Sequence, residues 1–184
     1  DGLVGAIRFA RENQIPTLGV CLGMQAMVVE YARNVLGLTT AASTEFCPTT
    51  DEPVVAIPLE GDSPRTVMRL GSYETAVVED TIAYEAYQAT TITERHRHWY
   101  EINNDYRDQL QQAGMGISGT SPDGELIEII ELTTEEHPFF VGTQAHPEYK
   151  SRPTNPHPLY VGLIGAALEN QRQTRLLDLP PQSR

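Results

Sequence analysis

Two periods of apolar residues open the chain. Leu3, Ile7 and Ala10 recur at helical spacing, which predicts a helix up to about Asn13. Ile15-Pro16-Thr17-Leu18-Gly19-Val20-Cys21 is a short apolar run behind a proline, the form of a buried strand. From Gly23 onward, Met24, Met27, Val28 and Tyr31 stand at i, i+3, i+4 and i+7. That spacing predicts an amphipathic helix to about Val35. Helix, buried strand, sharp turn and helix is the sequence of an α/β fold built on a parallel sheet. Such a domain ordinarily opens on a strand, so N-terminal strands are expected upstream of Asp1.

The middle of the chain is patterned differently. Between Thr39 and Pro64 turn-forming residues are dense, with a short strand over Pro53–Ile57. Thr66–Leu70 and Tyr73–Val78 predict two strands around Gly71-Ser72, a hairpin. Ala83–Gln88 predicts a helical turn and His96–Ile102 a strand. Asn104 is the expected N-cap of a helix over Asp105–Ala113 that Gly114 ends. Met115–Ser118 and Leu126–Leu132 follow as strands across Pro122-Asp123-Gly124, a strong turn signal. Phe139–Gln144 is a further strand, 151–158 a proline-rich loop, and Leu159–Leu168 a closing helix. Residues 1–170 therefore form one domain with no internal repeat, and 171–184 a flexible polar tail.

Composition narrows the function. Lys and Arg total 13 against 25 Asp and Glu, a net charge of -12. Nucleic-acid binders carry a basic face and membrane-surface proteins a polybasic patch, so neither partner is expected. The acidic excess reads as solvated surface. Apolar residues at 40% support a buried core. No run of 18 apolar residues spans a bilayer and no secretory leader pattern opens the chain. The two cysteines, Cys21 and Cys47, form no C-x-x-C pair. They make no disulfide framework, and a reducing, cytoplasmic compartment is expected.

Gly19-Val20-Cys21-Leu22-Gly23 has the G-x-nucleophile-x-G form of a nucleophile elbow. A tight strand-to-helix turn leaves little room beside the nucleophile, so side chains at Gly19 or Gly23 are expected to collide with backbone. The turn lifts the Cys21 sulfur to a helix N-terminus, which favours thiolate. The Leu22 N–H then points to where an oxyanion would form. The plainer alternative is a buried cysteine in a glycine-flanked turn. His146-Pro147-Glu148 lies just past the last predicted strand, at the sheet edge where α/β folds build their sites. His146 can take the thiol proton and return it to a leaving amine, and Glu148 can fix the imidazole tautomer. Taken alone, the pair is more simply a loop histidine and a solvated glutamate; with the elbow it completes a nucleophile–base–orienter set. His96 and His98 share one strand face, but no third ligand stands at metal spacing. No metal is assigned, and ion-paired strand packing is the simpler reading. Cys47, His137 and His157 are given no role.

Leu18-Gly19-Val20-Cys21-Leu22-Gly23-Met24-Gln25 together with His146-Pro147-Glu148 resembles the class I (triad) glutamine amidotransferases. Ser43-Thr44-Glu45-Phe46, Met68-Arg69-Leu70-Gly71, Glu94-Arg95-His96-Arg97-His98 and Tyr100-Glu101-Ile102-Asn103-Asn104 narrow the resemblance to the glutaminase domain of the CTP synthase branch. The resemblance implies a flavodoxin-like α/β fold with a mostly parallel central sheet between flanking helices. It implies that Cys21 forms a γ-glutamyl thioester, that His146 shuttles protons and that Glu148 orients it. Leu22, Gln25, Glu45 and Tyr100 fall at positions implied to hold glutamine, with Glu45 suited to the α-ammonium. No cofactor is implied in this domain. ATP and Mg²⁺ are implied in a synthetase domain of the same full-length chain, where ammonia would aminate UTP. GTP is implied as an effector and a homo-oligomer, a tetramer, as the assembly.

Two departures qualify the resemblance. The Gly-rich segment that supplies the family's second oxyanion donor does not precede the first helix here, so the chain alone is expected to turn over little glutamine. The family's R-H-R-H-R run ends here in Trp99, and an indole cannot make the charge-assisted bond that a guanidinium offers the glutamine α-carboxylate. Two other readings follow: a different amidotransferase or cysteine hydrolase with the same elbow, and a structural or regulatory module with weakened catalysis.

Overall fold

The computed structural model describes residues 2–61 and 63–177. The elements run α1 (Gly2–Glu12), β1 (Thr17–Val20), α2 (Leu22–Asn34), β2 (Ala42–Ser43), β3 (Pro53–Ala56), β4 (Leu59–Glu60), β5 (Ser63–Pro64) and β6 (Arg69–Val77). They continue with α3 (Ile82–Tyr87), β7 (Thr91–His98), β8 (Glu101–Ile102), α4 (Arg107–Gln112), β9 (Gly116–Thr120), β10 (Ile127–Glu131), β11 (Phe140–Thr143) and α5 (Pro158–Leu177). Six strands form the central sheet in the order β1-β11-β10-β9-β6-β7.

The sheet is sandwiched as the alternation of its side chains requires. On β10 and β11, Ile127, Ile130 and Phe140 join a core with α1, α2, α4 and β3, while Ile129 and Val141 join a second core with α3 and α5. The neighbours Ile129 and Ile130, like Phe140 and Val141, thus feed opposite faces, and the irregular register of β10 puts Ile127 on the side of Ile130. Helices α1 and α2 are further tied by Arg11, whose guanidinium donates to both oxygens of the fully buried Glu30, each at 2.8 Å.

The α/β class holds, but the sheet is mixed rather than mostly parallel. Within the central sheet, among the described residues, only β1 and β11 pair parallel, and the remaining four pairings are antiparallel. The short links decide this: β9–β10 and β10–β11 are joined without a crossover helix, and a parallel pair needs one. The hairpin expected at Gly71-Ser72 is instead one continuous strand. Arg69 to Ala76 pair without interruption with His98 to Thr91, and Gly71 absorbs the irregularity at φ 120°. The strand expected over His96–Ile102 begins five residues earlier and breaks at Trp99-Tyr100. Asn103, not Asn104, caps the 3-10 turn Asn104–Tyr106 that leads into α4, accepting from Asp105 N–H at 3.1 Å. Helix α5 continues to Leu177, so 171–177 are helical where a tail was expected. The rest of that tail lies outside the described residues.

Candidate active site

The elbow is built at the junction of β1 and α2. Cys21 has φ 51° and ψ -104°, a left-handed conformation that strains any residue but glycine and so marks a functional turn. It is held there from both sides. Cys21 N–H donates to Thr143 O at 2.8 Å, and Gln25 N–H, in the first turn of α2, donates to Cys21 O at 3.2 Å. Gly19 is required: a Cβ there would lie 2.3 Å from Met27 Sδ and 2.8 Å from backbone atoms of Gly23 and Met24. Gly23 is not required on the same ground, because a Cβ there meets open space. The expected thiolate is also corrected. Burial pushes the Cys21 thiol up and outweighs the Leu22 N–H and the Gln144 amide, which both favour the charged form. Cys21 is therefore a thiol that needs a base.

His146 stands across the parallel pair. Register sets Val20 opposite Thr143, so the chain leaves β1 at Cys21 and β11 at Gln144 on the same level. Gln144, fully buried, has its amide nitrogen 3.6 Å from Cys21 Sγ. Two residues on, His146 N–H donates to Arg95 O at 2.8 Å, which fixes the backbone to β7. The His146 ring stacks on Tyr149 at 5.2 Å, and its Nδ1 lies 2.6 Å from Glu148 Oε1. The carboxylate oxygen accepts, so Nδ1 carries the hydrogen. Nε2 is buried and without a hydrogen-bond partner. An imidazole held this way can take a proton at Nε2.

A cavity of about 220 Å³ opens beside the sulfur, lined by Cys21, Leu22, Gln25, Glu45, Met68, Arg97, His98, Trp99 and Tyr100. Leu22, Gln25, Glu45 and Tyr100, the four residues assigned to substrate from sequence, all line it. Gln25 is buried and its amide group donates to Tyr100 O at 2.9 Å and Gln144 Oε1 at 3.3 Å. It therefore ties α2 to both edges of the site. Gln144, Arg97 and Met68 escaped the sequence reading, although Gln144 stands at the end of β11, where a site residue was to be sought.

His96 and His98 share one face of β7, as predicted, and both are buried within ion-paired packing. Buried Glu101 accepts from His98 Nε2 at 2.9 Å, Arg65 Nη2 at 3.0 Å and Arg69 Nη1 at 3.4 Å. Burial pushes the Glu101 carboxyl up, but His98 and the two arginines more than offset it and hold it low. Arg69 Nη2 also stands 2.7 Å from Glu128 Oε1. Among the described residues no group of His, Cys, Asp and Glu side chains has the geometry to hold a metal ion.

Two histidines left without a role are structural. Buried His137 receives Phe139 N–H at 3.2 Å, with its Nε2 3.3 Å from Ala10 O. Buried His157 contacts Glu94. Cys47 is exposed and, like Cys21, a free thiol. Among the described residues no helix is long and apolar enough to cross a membrane.

An elbow cysteine, a histidine–carboxylate pair past the neighbouring strand end and a small polar-rimmed cavity thus lie at the same edge of the sheet. Residues 1–166 match the family model for glutamine amidotransferase class-I, and the chain belongs to that family. More particularly, it is 55% identical over 183 residues to a CTP synthase of a Nocardioides species, covering 95% of this chain and 32% of that protein. It is 54% identical over 190 residues to the CTP synthase of Acidothermus cellulolyticus, covering 98% and 34%. The glutaminase domain of Trypanosoma brucei CTPS, solved with bound acivicin, superposes with TM-score 0.83 at 36% identity, over 92% of this chain and 66% of that one. The chain spans about a third of the length of these curated relatives.

Proposed function

We propose that this chain is the glutaminase domain of a CTP synthase and that Cys21, His146 and Glu148 are its catalytic residues. The observation that carries the reading is the strained Cys21 elbow at the level of an imidazole whose Nδ1–H is held by Glu148 and whose Nε2 is vacant. The chemistry follows from those groups. His146 Nε2 takes the thiol proton as Cys21 Sγ bonds to the side-chain carbonyl carbon of glutamine, and the carbonyl electron pair moves to oxygen. The Leu22 N–H stabilises that oxyanion from the start of α2. Collapse breaks the C–N bond, the amine takes the proton from His146, and ammonia leaves behind a γ-glutamyl thioester. A water deprotonated by His146 then attacks, the C–S bond breaks, and the sulfur recovers its proton as glutamate departs. Glu45 offers the cavity's carboxylate to the α-ammonium of glutamine.

In this reading the ammonia passes to a synthetase domain of the same full-length chain, where ATP and Mg²⁺ activate UTP for amination. GTP acts as effector, the assembly is a homo-oligomer and the compartment is cytoplasmic. The test is labelling of the full-length protein with acivicin, a glutamine-like electrophile. Cys21 is modified and glutamine protects it, while Cys47 is not modified. Equal labelling of both cysteines, or none, refutes the assignment. Comparing UTP with other ammonia acceptors separates this reading from another amidotransferase. Trp99 in the cavity wall favours one second reading, a module with weakened catalysis, in which turnover stays undetectable even with an arginine at that position.

A further inference from the structure

The segment from His146 to His157 carries the proposed base and its orienter, yet it holds only one 3-10 turn, Pro147–Tyr149, and a lone Arg152–Asn155 bridge. Its place is therefore set by what it is tied to. Three consecutive residues of β7 tie it. Arg95 O accepts from His146 N–H at 2.8 Å, and Thr93 O accepts from Lys150 Nζ. Between them, Glu94 Oε1 lies 3.3 Å from Lys150 Nζ and 3.0 Å from His157 Nε2. Leu159 N–H donates to His157 Nδ1 at 3.2 Å, so the ring hydrogen sits on Nε2 and is given to Glu94. Lys150 follows His146 by four residues, and His157 is the last residue before α5. One carboxylate, 2% exposed, thus holds the segment four residues after His146 and again at its last residue. Burial pushes the Glu94 carboxyl up, but His157 and Lys150 outweigh it and hold it below the usual carboxylate range. A buried anion persists only with such partners.

We propose that Glu94 is a positioning residue for His146: by holding Lys150 and His157 against β7, it keeps the imidazole–carboxylate pair in register with the Cys21 elbow. The inference rests on the glutaminase reading above. Glu94 does not line the cavity beside Cys21, so its influence passes through the segment and not through glutamine. A purely structural ion pair would change how much protein is folded; a positioning residue changes how fast each folded site turns over.

The experiment compares parent, Glu94→Gln, Glu94→Asp and Lys150→Met in the full-length protein. Glutamine kcat and KM are measured and divided by active sites counted at the end point of acivicin labelling. Glu94→Gln is expected to lower kcat per labelled site by roughly 10- to 100-fold. KM should stay within about twofold, since no substrate contact is removed. Glu94→Asp, which keeps the charge, recovers part of the loss. Lys150 is 43% exposed, so Lys150→Met folds like the parent. It loses kcat in the same direction by a smaller factor, which keeps the test decisive where Glu94→Gln fails to fold. Unchanged kcat per labelled site, or a KM that rises as much as kcat falls, overturns the proposal while the glutaminase reading stands. A parent that neither hydrolyses glutamine nor takes the label overturns both.

Discussion

Gly19 shows how a single residue sets the elbow. Its missing Cβ is the space into which Met27 Sδ and the backbone of Gly23 and Met24 pack. Gly19→Ala forces two backbone atoms to move, because only the thioether end is free to swing aside. We expect a loss of about 1–3 kcal/mol, the usual cost of overpacking a tight site. Gly23→Ala meets open space in the first turn of α2 and should be neutral or slightly stabilising, by up to about 1 kcal/mol. Urea unfolding of the two variants checks the contrast, and equal midpoints would show that the Gly19 contact is relaxed at no cost. The same scale explains the misread thiol. Sequence places Cys21 at a helix end but says nothing of how deeply the fold buries it, and burial decides the sign. The acidic excess is surface for the most part, as read, but Glu30, Glu94, Glu101, Glu128 and Glu131 are buried. Each lies against donors that composition cannot reveal, such as the Ile82 and Ala83 N–H groups that reach Glu131 at 2.8 and 3.0 Å.

Elements were legible where their signals are local. The first helix, β1, α2 and β11 follow from apolar spacing alone, and the elbow and the His146–Glu148 pair follow from motif spacing. Strand pairing was not legible, because which strands become neighbours depends on contacts far apart in sequence. Gly71-Ser72 reads as a turn until the unbroken register with β7 overrides it. The bend at Trp99-Tyr100 was hidden for the same reason: it exists because β8 leaves the central sheet to pair with β3. That bend delivers Trp99, 37% exposed, to the wall of the cavity beside Cys21. A guanidinium at this point of the bend would face the same cavity that Glu45 lines. Trp99→Arg is therefore expected to lower the glutamine KM by roughly tenfold or more, the worth of one charge-assisted bond of about 1.5–3 kcal/mol, with kcat little changed. Steady-state kinetics of the full-length protein measure it; an unchanged KM removes the α-carboxylate from this wall.

For the molecule as a whole, the buried charges beneath the site shape how stability depends on pH. His96 is lowered from its ordinary 6.5 to about 3 by burial first, then by Arg69 and His98. The unfolded chain protonates this imidazole below pH 6.5 while the folded chain does not. Its contribution is thus full above pH 6.5 and lost as pH falls toward 3, at about 1.4 kcal/mol per pH unit. Glu128 is raised from 4.5 to about 7, because burial outweighs Arg69. The folded chain keeps that proton where the unfolded chain has released it. The Glu128 contribution is therefore full below pH 4.5 and lost as pH rises through 7. Between pH 4.5 and 6.5 the two slopes are equal and opposite, so together they leave the parent's stability level in that window. Below it, Glu94 and Glu101, both held low, add to the acid loss. Removing either partner should uncover the other. Glu128→Gln should lose roughly 2–3 kcal/mol of stability as pH falls from 6.5 to 4.5, and His96→Gln a similar amount as pH rises from 4.5 to 7. Urea midpoints across that range read the two slopes directly. Slopes of the same sign, or none in either variant, would mean that the two buried groups do not offset one another.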